Sequence, residues 1–214
     1  MKYNEITDQV MSYFSKEEFQ SDIATAKKSF FEVAGIMDES QPDFEIKMNQ
    51  FVDWFLYTRP LIDHAIRPIE YVVNNSDYTF DSNEKIFYQN LLAIRHSLFE
   101  FRKLSKSDLY IKDVFSGYKL IIKDSPVTEG FNKGEVFEAR LIPHEDSFIF
   151  SSAFCFHPPD ATKYILNEVK LINKMKNDSD EERRRKQDEL MLKLFQMKNK
   201  YDHYRHVALE RIYC

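Results

Sequence analysis

Five polar side chains that could do chemistry lie close together in the chain, on both sides of Pro60. They are Asp53, Arg59, Asp63, His64 and Arg67. Carboxylate, imidazole and guanidinium groups are the usual materials of acid–base catalysis and of anion binding. No nucleophile with a partner base accompanies them, so ion pairs that tie helix ends together are the favoured interpretation. An enzyme with a cleft at these residues is kept as one alternative for the function.

The sharpest basic feature is the run of Arg183, Arg184, Arg185 and Lys186. Clustered cations can contact phosphate groups and give an affinity that does not depend on nucleotide sequence. Acidic residues flank the run on both sides and weaken its field, which favours a solvated charged helix. Contact with phosphate or another anion remains a second interpretation. The matching function is a nucleic-acid-associated protein that uses this basic turn and the aromatic residues of a barrel.

Sulfur and imidazole side chains occur together in one place and imidazoles alone in another. Cys155 and His157 are two residues apart, and His203 and His206 are three residues apart, close to one helical turn. A zinc site needs three or four ligands, and neither pair supplies them. Cys155 stands between two phenylalanines, which is typical of a buried small hydrophobic residue. The sequence therefore predicts no metal site and no cofactor.

The charge balance and the cysteine count narrow the class of protein. The 214 residues carry a net charge of −5, and 43% of them are hydrophobic, which is enough for a substantial core. A pI near 5.7 argues against a protein that coats nucleic acid. Two cysteines form no disulfide framework, and no apolar run is long enough to cross a bilayer. The expected compartment is the cytoplasm, without a membrane span.

The elements that must position these residues begin with a helix around Trp54, the only tryptophan. Apolar residues recur there at steps of three and four, so they share one helix face. Pro60 ends the pattern, because the residue before a proline is disfavoured in helical geometry. A helix that is apolar over so much of its circumference belongs in a core. The recurring residues are Phe44, Met48, Phe51, Phe55 and Leu56.

Changes of hydrophobic period divide the chain into three segments. Residues 1–96 read as a helical layer, residues 97–159 as five short antiparallel strands, and residues 160–214 return to helical spacing. The predicted fold class is α+β, with an N-terminal helical layer, a small antiparallel SH3-like sheet or barrel, and a C-terminal helical arm from residue 179. Residues 1–178 are expected to form one compact unit.

Apolar residues of the last helix recur at alternating steps of four and three, which is the spacing of a heptad seam. The polar segment of residues 177–186 before them is predicted to be exposed, so pairing with a protein partner or a second copy is favoured over folding back. The leading functional hypothesis is a non-enzymatic binding or adaptor protein, and a nucleic-acid partner is not favoured. We call the following residues the C-terminal seam: Leu190, Leu194, Met197, Tyr201, Tyr204 and Ala208.

Short motifs over roughly residues 29–170 resemble an uncharacterised family of bacterial proteins. The first half resembles domains that occur beside a small cysteine-rich zinc motif, which this sequence lacks. The resemblance implies no activity, because none is known for the family. The motifs are Phe30-Phe31-Glu32 with Gly35, Asp43-Phe44-Glu45 with Met48, Phe51 and Trp54-Phe55-Leu56, Arg59-Pro60-Leu61, Asp113 to Gly117, Gly134 with Ala139 to Pro143, and Ala153 to Pro158.

Overall fold

The computed structural model describes residues 2–35, 44–175 and 179–214. Over these ranges the chain forms seven α-helices and five β-strands, and none of these helices is long and apolar enough to cross a membrane. The predicted α+β class is confirmed. Asp43 of the family motifs and Asn177 and Asp178 of the predicted polar segment lie outside the described residues.

The order of helices and strands follows the predicted division of the chain. The helices are α1 Lys2–Phe14, α2 Gln20–Ala34, α3 Phe44–Tyr57, α4 Pro68–Asn74, α5 Lys85–Leu92, α6 Thr162–Asn173 and α7 Asp180–His203. The strands are β1 Arg95–Ser105, β2 Asp108–Asp113, β3 Lys119–Ile122, β4 Val136–His144 and β5 Ser147–Phe156.

The N-terminal helices pack around one aromatic core. Phe51 and Phe55 of α3 are fully buried among side chains of α1, α2, α4 and α5. Pro68 stands at the start of α4, where its missing N–H group needs no partner. Trp54, on the same helix, is half-buried at the edge of this core. The helix around Trp54 is therefore central, as predicted, but its indole ring reaches the boundary of the core.

The five strands form one antiparallel sheet in the order β3-β2-β1-β4-β5. The sheet curls until side chains link its two edge strands. Ser147 accepts a hydrogen bond from the backbone N–H of Lys123 at 3.0 Å and donates one to the carbonyl of Ile121 at 3.1 Å. No backbone ladder joins β3 to β5 among the described residues, so the sheet is open and the barrel alternative is not formed.

Side chains alternate along each strand, so neighbouring residues point to opposite faces of the sheet. Each face contributes to a hydrophobic core. On β4, Phe137 joins an aromatic core inside the curl, whereas Val136 and Ile142 join the helices. Glu138 and Arg140 occupy the same alternate positions as Val136 and Ile142. The fold therefore places two charged side chains between the sheet and the helices.

The C-terminal seam packs on the body of the same chain over its first half. Leu190, Leu194 and Met197 are buried in a core that also contains Leu98 of β1 and Val136 of β4. The expectation of a projecting arm is corrected for these three residues. A helix stripe buried in the chain's own core over only a few turns has nearly the same spacing as an interchain seam, so the pattern did not distinguish the two.

The second half of the seam leaves the helix. Tyr201 is partly buried beside the same core, and α7 ends at His203. Tyr204 and Ala208 follow the helix and are exposed. Heptad spacing therefore stops before the last two seam residues, and His206 lies in the same exposed stretch.

Candidate functional site

Buried charges collect between the sheet and α3. Glu138 and Arg140 come from β4, Asp53 comes from α3, and the half-buried His96 comes from β1. The register of β1 and β4 places His96 directly opposite Arg140. Arg140 is 1% exposed, and Asp53 and Glu138 are 4% exposed each. Charges removed from water to this degree need partners or a ligand.

The guanidinium group of Arg140 is incompletely paired. Its Nη2 donates a hydrogen bond to Thr58 Oγ1 at 3.1 Å, and its Nη1 lies 4.0 Å from Asp53 Oδ2. Within the described part of the chain, Nε and Nη1 have no hydrogen-bond partner. Two buried N–H donors of one cation are therefore open to an acceptor.

A cavity of about 180 Å³ lies beside this guanidinium group. Apolar atoms, including those of Trp54 of α3, make most of its exposed wall, although eight of its twelve lining residues are polar or charged. Gln50 adds an amide nitrogen that is buried and has no acceptor among the described residues. Such a wall with a few convergent donors is typical of small-molecule sites. The lining residues are Phe30, Gln50, Trp54, Thr58, His96, Glu138, Arg140, Arg185, Asp188, Glu189, Leu192 and Phe195.

An open groove of about 1470 Å³ shares Thr58, His96 and Asp188 with the cavity. Four further arginines line this groove, and three of them are paired: Arg67 with Glu70 at 2.9 Å, Arg95 with Asp113 at 2.7 Å and Arg183 with Asp180 at 3.4 Å. The fourth, Arg184, is exposed, and its positive charge acts on Asp188 in the same groove. The groove is thus a polar entrance beside the more apolar cavity.

The pKa values of the two buried carboxyl groups, Asp53 and Glu138, are shifted in opposite directions. Burial raises the pKa of Asp53 above its ordinary value, and the charge of Arg140 only partly opposes this effect. Burial acts on Glu138 in the same way, but the hydrogen bond between His96 Nε2 and Glu138 Oε1 at 2.7 Å and electrostatic attraction to His96 and Arg140 hold the pKa of Glu138 below its ordinary value. Glu138 is therefore the better stabilised anion of the pair.

Two further polar side chains, Cys155 and His157, lie on the same side of the sheet, next to Glu138. Burial raises the pKa of the Cys155 thiol well above its usual range. Burial also lowers the pKa of His157 to about 4, against the charge of Glu138. The Tyr213 hydroxyl lies 3.3 Å from His157 Nδ1. In the absence of a bound cation, the thiol and the imidazole are both uncharged at neutral pH.

The residues proposed around Pro60 do not converge on one cleft. Arg59 pairs with Asp22 at 3.2 Å, which ties α2 to the end of α3. Asp63 and His64 are exposed, and neither lines the groove or the cavity. Arg67 does line the groove. The ion-pair interpretation fits the two arginines, and Asp53 lies beside Arg140. Asp63 and His64 do not join Arg67 in the groove.

The basic run at the start of α7 contributes to the candidate site. Arg183 and Arg184 line the groove, and Arg185 lines the cavity while it pairs with Glu189 at 3.6 Å. Lys186 donates to the sulfur of Met175 at 3.1 Å. The tertiary fold thus brings Arg183 and Arg184 to the groove that also contains Arg67, more than one hundred residues earlier in the sequence.

Sequence reasoning missed His96, Glu138 and Arg140 as site residues. Charged residues at alternate positions of an apolar strand ordinarily indicate a face open to water. Here the helices cover that face, so Glu138 and Arg140 are buried. A useful signal was available in Ala139-Arg140-Leu141-Ile142-Pro143, where a single charge interrupts a run of apolar residues.

The fold and the site define an α+β protein with a charged cavity between a curled antiparallel sheet and its helices. Residues 2–205 match a family described as "Family of unknown function (DUF7986)". The chain belongs to this family, which agrees with the resemblance to an uncharacterised family. No curated protein and no solved structure matches the chain.

Proposed function

We propose that this protein binds a small organic anion, with the acidic group on Arg140 and the apolar body against Trp54. The observation that carries the proposal is the pair of unpartnered donors on a guanidinium group that is 1% exposed and lines a cavity. A buried cation with open donors is stabilised by an acceptor that carries negative charge.

The polar atoms around the cavity favour a ligand rich in acceptors. Five buried atoms of the lining residues have no hydrogen-bond partner among the described residues. Gln50 Nε2 and the two free nitrogens of Arg140 are donors, Glu138 Oε2 is an acceptor, and His96 Nδ1 can be either. Ordered water could meet their hydrogen-bonding capacity, but water would add no negative charge to that of Asp53, which lies 4.0 Å from Arg140 Nη1. A carboxylate or phosphate group would do both, and Arg140 can bind such a group through two nitrogens at once.

The apolar part of the wall indicates that the rest of the ligand is apolar. Phe30, Trp54, Leu192 and Phe195 surround the cavity, so a bare inorganic ion would leave most of this wall without contacts. At about 180 Å³ the cavity suits a ring or a short chain, and a larger ligand would extend into the adjoining groove. Thr58 carries the one hydroxyl group among the lining residues, and this hydroxyl accepts a hydrogen bond from Arg140. We therefore propose that the site binds its ligand without a chemical reaction.

Trp54 gives a direct test, because it is the only tryptophan and lines the cavity. We expect phenyl phosphate to change the Trp54 emission in a saturable way, and inorganic phosphate or phenol to do so much more weakly. Arg140→Met should weaken phenyl phosphate binding by about 10- to 100-fold, since a hydrogen bond to a charged group contributes about 1.5–3 kcal/mol. Gln50→Leu should weaken it by about 3- to 10-fold.

Arg102→Met is the matched control, because Arg102 lies on β1, is exposed and pairs with Glu100 away from the cavity. It should bind phenyl phosphate as the wild type does. Gln50→Leu is expected to fold even if Arg140→Met does not, because it replaces an unsatisfied buried amide with an apolar side chain of similar size. Equal binding by wild type and both cavity variants would refute the proposal.

The other two functional hypotheses remain predictions. Association through the C-terminal seam would have to use Tyr204 and Ala208, since Leu190, Leu194 and Met197 are buried. A nucleic-acid role would have to use the exposed Arg184 and Arg185 without stacking on the sheet, whose phenylalanines mostly face its interior. Steep loss of oligonucleotide binding as salt rises would favour the second hypothesis.

A further inference from the structure

Three side chains of types that bind metal ions meet on the helix-facing side of β4 and β5. Glu138 is the direct cross-strand partner of Cys155. His157 follows Cys155 by two residues, which places both on the same side of an extended chain. One donor atom from each residue lies within 4.8 Å of the other two, and all three side chains are buried.

Glu138 and His157 each have one polar atom with a hydrogen-bond partner and one without. His96 Nε2 lies 2.7 Å from Glu138 Oε1, and the Tyr213 hydroxyl lies 3.3 Å from His157 Nδ1. The opposite atoms, Glu138 Oε2 and His157 Nε2, are buried and have no hydrogen-bond partner in the described part of the chain. Metal ligands typically show this arrangement, in which an outer partner orients the ligand and leaves its lone pair free.

We propose that Glu138, Cys155 and His157 bind one zinc ion. A thiolate, a carboxylate and a neutral imidazole together carry two negative charges, which one divalent cation balances in a buried site. Sulfur and nitrogen donors suit zinc, whereas calcium and magnesium prefer oxygen ligands alone. Three protein ligands leave a fourth position of the tetrahedron for water. This site is separate from the anion proposal, although Glu138 also lines the cavity.

Cobalt(II) tests the proposal on the full chain, because it occupies zinc sites and its bond to a thiolate absorbs in the near ultraviolet. The purified protein is stripped with a chelator and titrated with cobalt chloride and then with zinc chloride. We expect a thiolate-to-cobalt band that saturates at one ion per chain and disappears when zinc displaces the cobalt. Elemental analysis of the zinc-loaded protein should give the same stoichiometry.

The two cysteines of the chain provide a matched pair of variants. Cys155→Ala should abolish the band, whereas Cys214→Ala, at the exposed second cysteine, should keep it. Retention of the band in Cys214→Ala assigns the thiolate to Cys155 even if Cys155→Ala fails to fold. His96 acts as a positioning residue, so His96→Gln should weaken zinc binding by about 10- to 100-fold.

Several results would overturn the metal site. They are a wild-type protein without the cobalt band, a band that survives in folded Cys155→Ala, and a band lost in folded Cys214→Ala. In each case Cys155 would be a buried small side chain without ligand function. Phenyl phosphate binding, read from Trp54, would be unaffected by that outcome, so the two proposals fail independently.

Discussion

A chain cut to residues 1–178 is expected to be unfolded. The removed segment supplies large buried side chains to two of the three cores. Burial of each such side chain contributes about 1.5–3 kcal/mol, and a whole domain is stable by only about 5–15 kcal/mol. The buried residues that would be lost are Leu190, Met191, Leu194, Phe195, Met197 and Tyr213.

Circular dichroism and limited proteolysis of residues 1–178 would measure this outcome. A single substitution gives a graded version of the test. Leu194→Ala should lower the free energy of unfolding by about 2–5 kcal/mol, because Leu194 is fully buried. Leu171→Ala, at a 54% exposed leucine of α6, should change it by no more than about 0.5 kcal/mol.

A folded fragment of residues 1–178 with a cooperative unfolding transition would contradict this expectation. If the full chain were then a dimer and the fragment a monomer, the C-terminal seam would join two chains. That result would restore the interaction arm and would require α7 to leave its place between α2, α6 and β1.

Asp53→Ala is expected to lower the free energy of unfolding by about 3–5 kcal/mol, the usual effect of removing one partner of a buried ion pair. The carboxyl group of Asp53 lies 4.0 Å from Arg140 Nη1, and both side chains are almost fully buried. Without Asp53, the guanidinium charge would retain its hydrogen bond to Thr58 but no carboxylate at this distance. Chemical denaturation of the two proteins would give the difference.

A double-mutant cycle separates this coupling from simple loss of packing. Asp53→Ala combined with Arg140→Met should be more stable than the sum of the single effects predicts, by about 0.5–3 kcal/mol. Asp63→Ala is the control, because Asp63 is exposed and should change stability by no more than about 0.5 kcal/mol. Additive effects of the two substitutions would show that Asp53 and Arg140 do not stabilise each other.

The class of fold could be predicted because it depends on local periodicity. Apolar spacing of three and four predicted the helix around Trp54, and alternation predicted the five strands. At the start of α7, Ser179 and Glu182 form a capping box, which is also a local feature of the chain. These signals lie within a few residues of one another, so they require no knowledge of distant contacts.

The candidate site could be predicted only in part. Arg67, Arg183 and Arg184 were selected as charged residues, and all three line the groove. Nothing in the sequence joined Arg67 to the basic run, because the two groups meet only when α7 packs across β1. His96 and Arg140 were missed because their pairing depends on the register between β1 and β4.

The amino-acid sequence by itself determined the helices, the strands and their order, since propensity and hydrophobic period act over one or two turns. The tertiary structure decided which surfaces are covered. It buried Glu138 and Arg140 on a strand face that alternation alone would leave to solvent, and it placed Leu194 against the chain's own core. The physical reason is that a periodic pattern states which residues share a face, whereas the neighbour that covers the face is chosen by long-range packing.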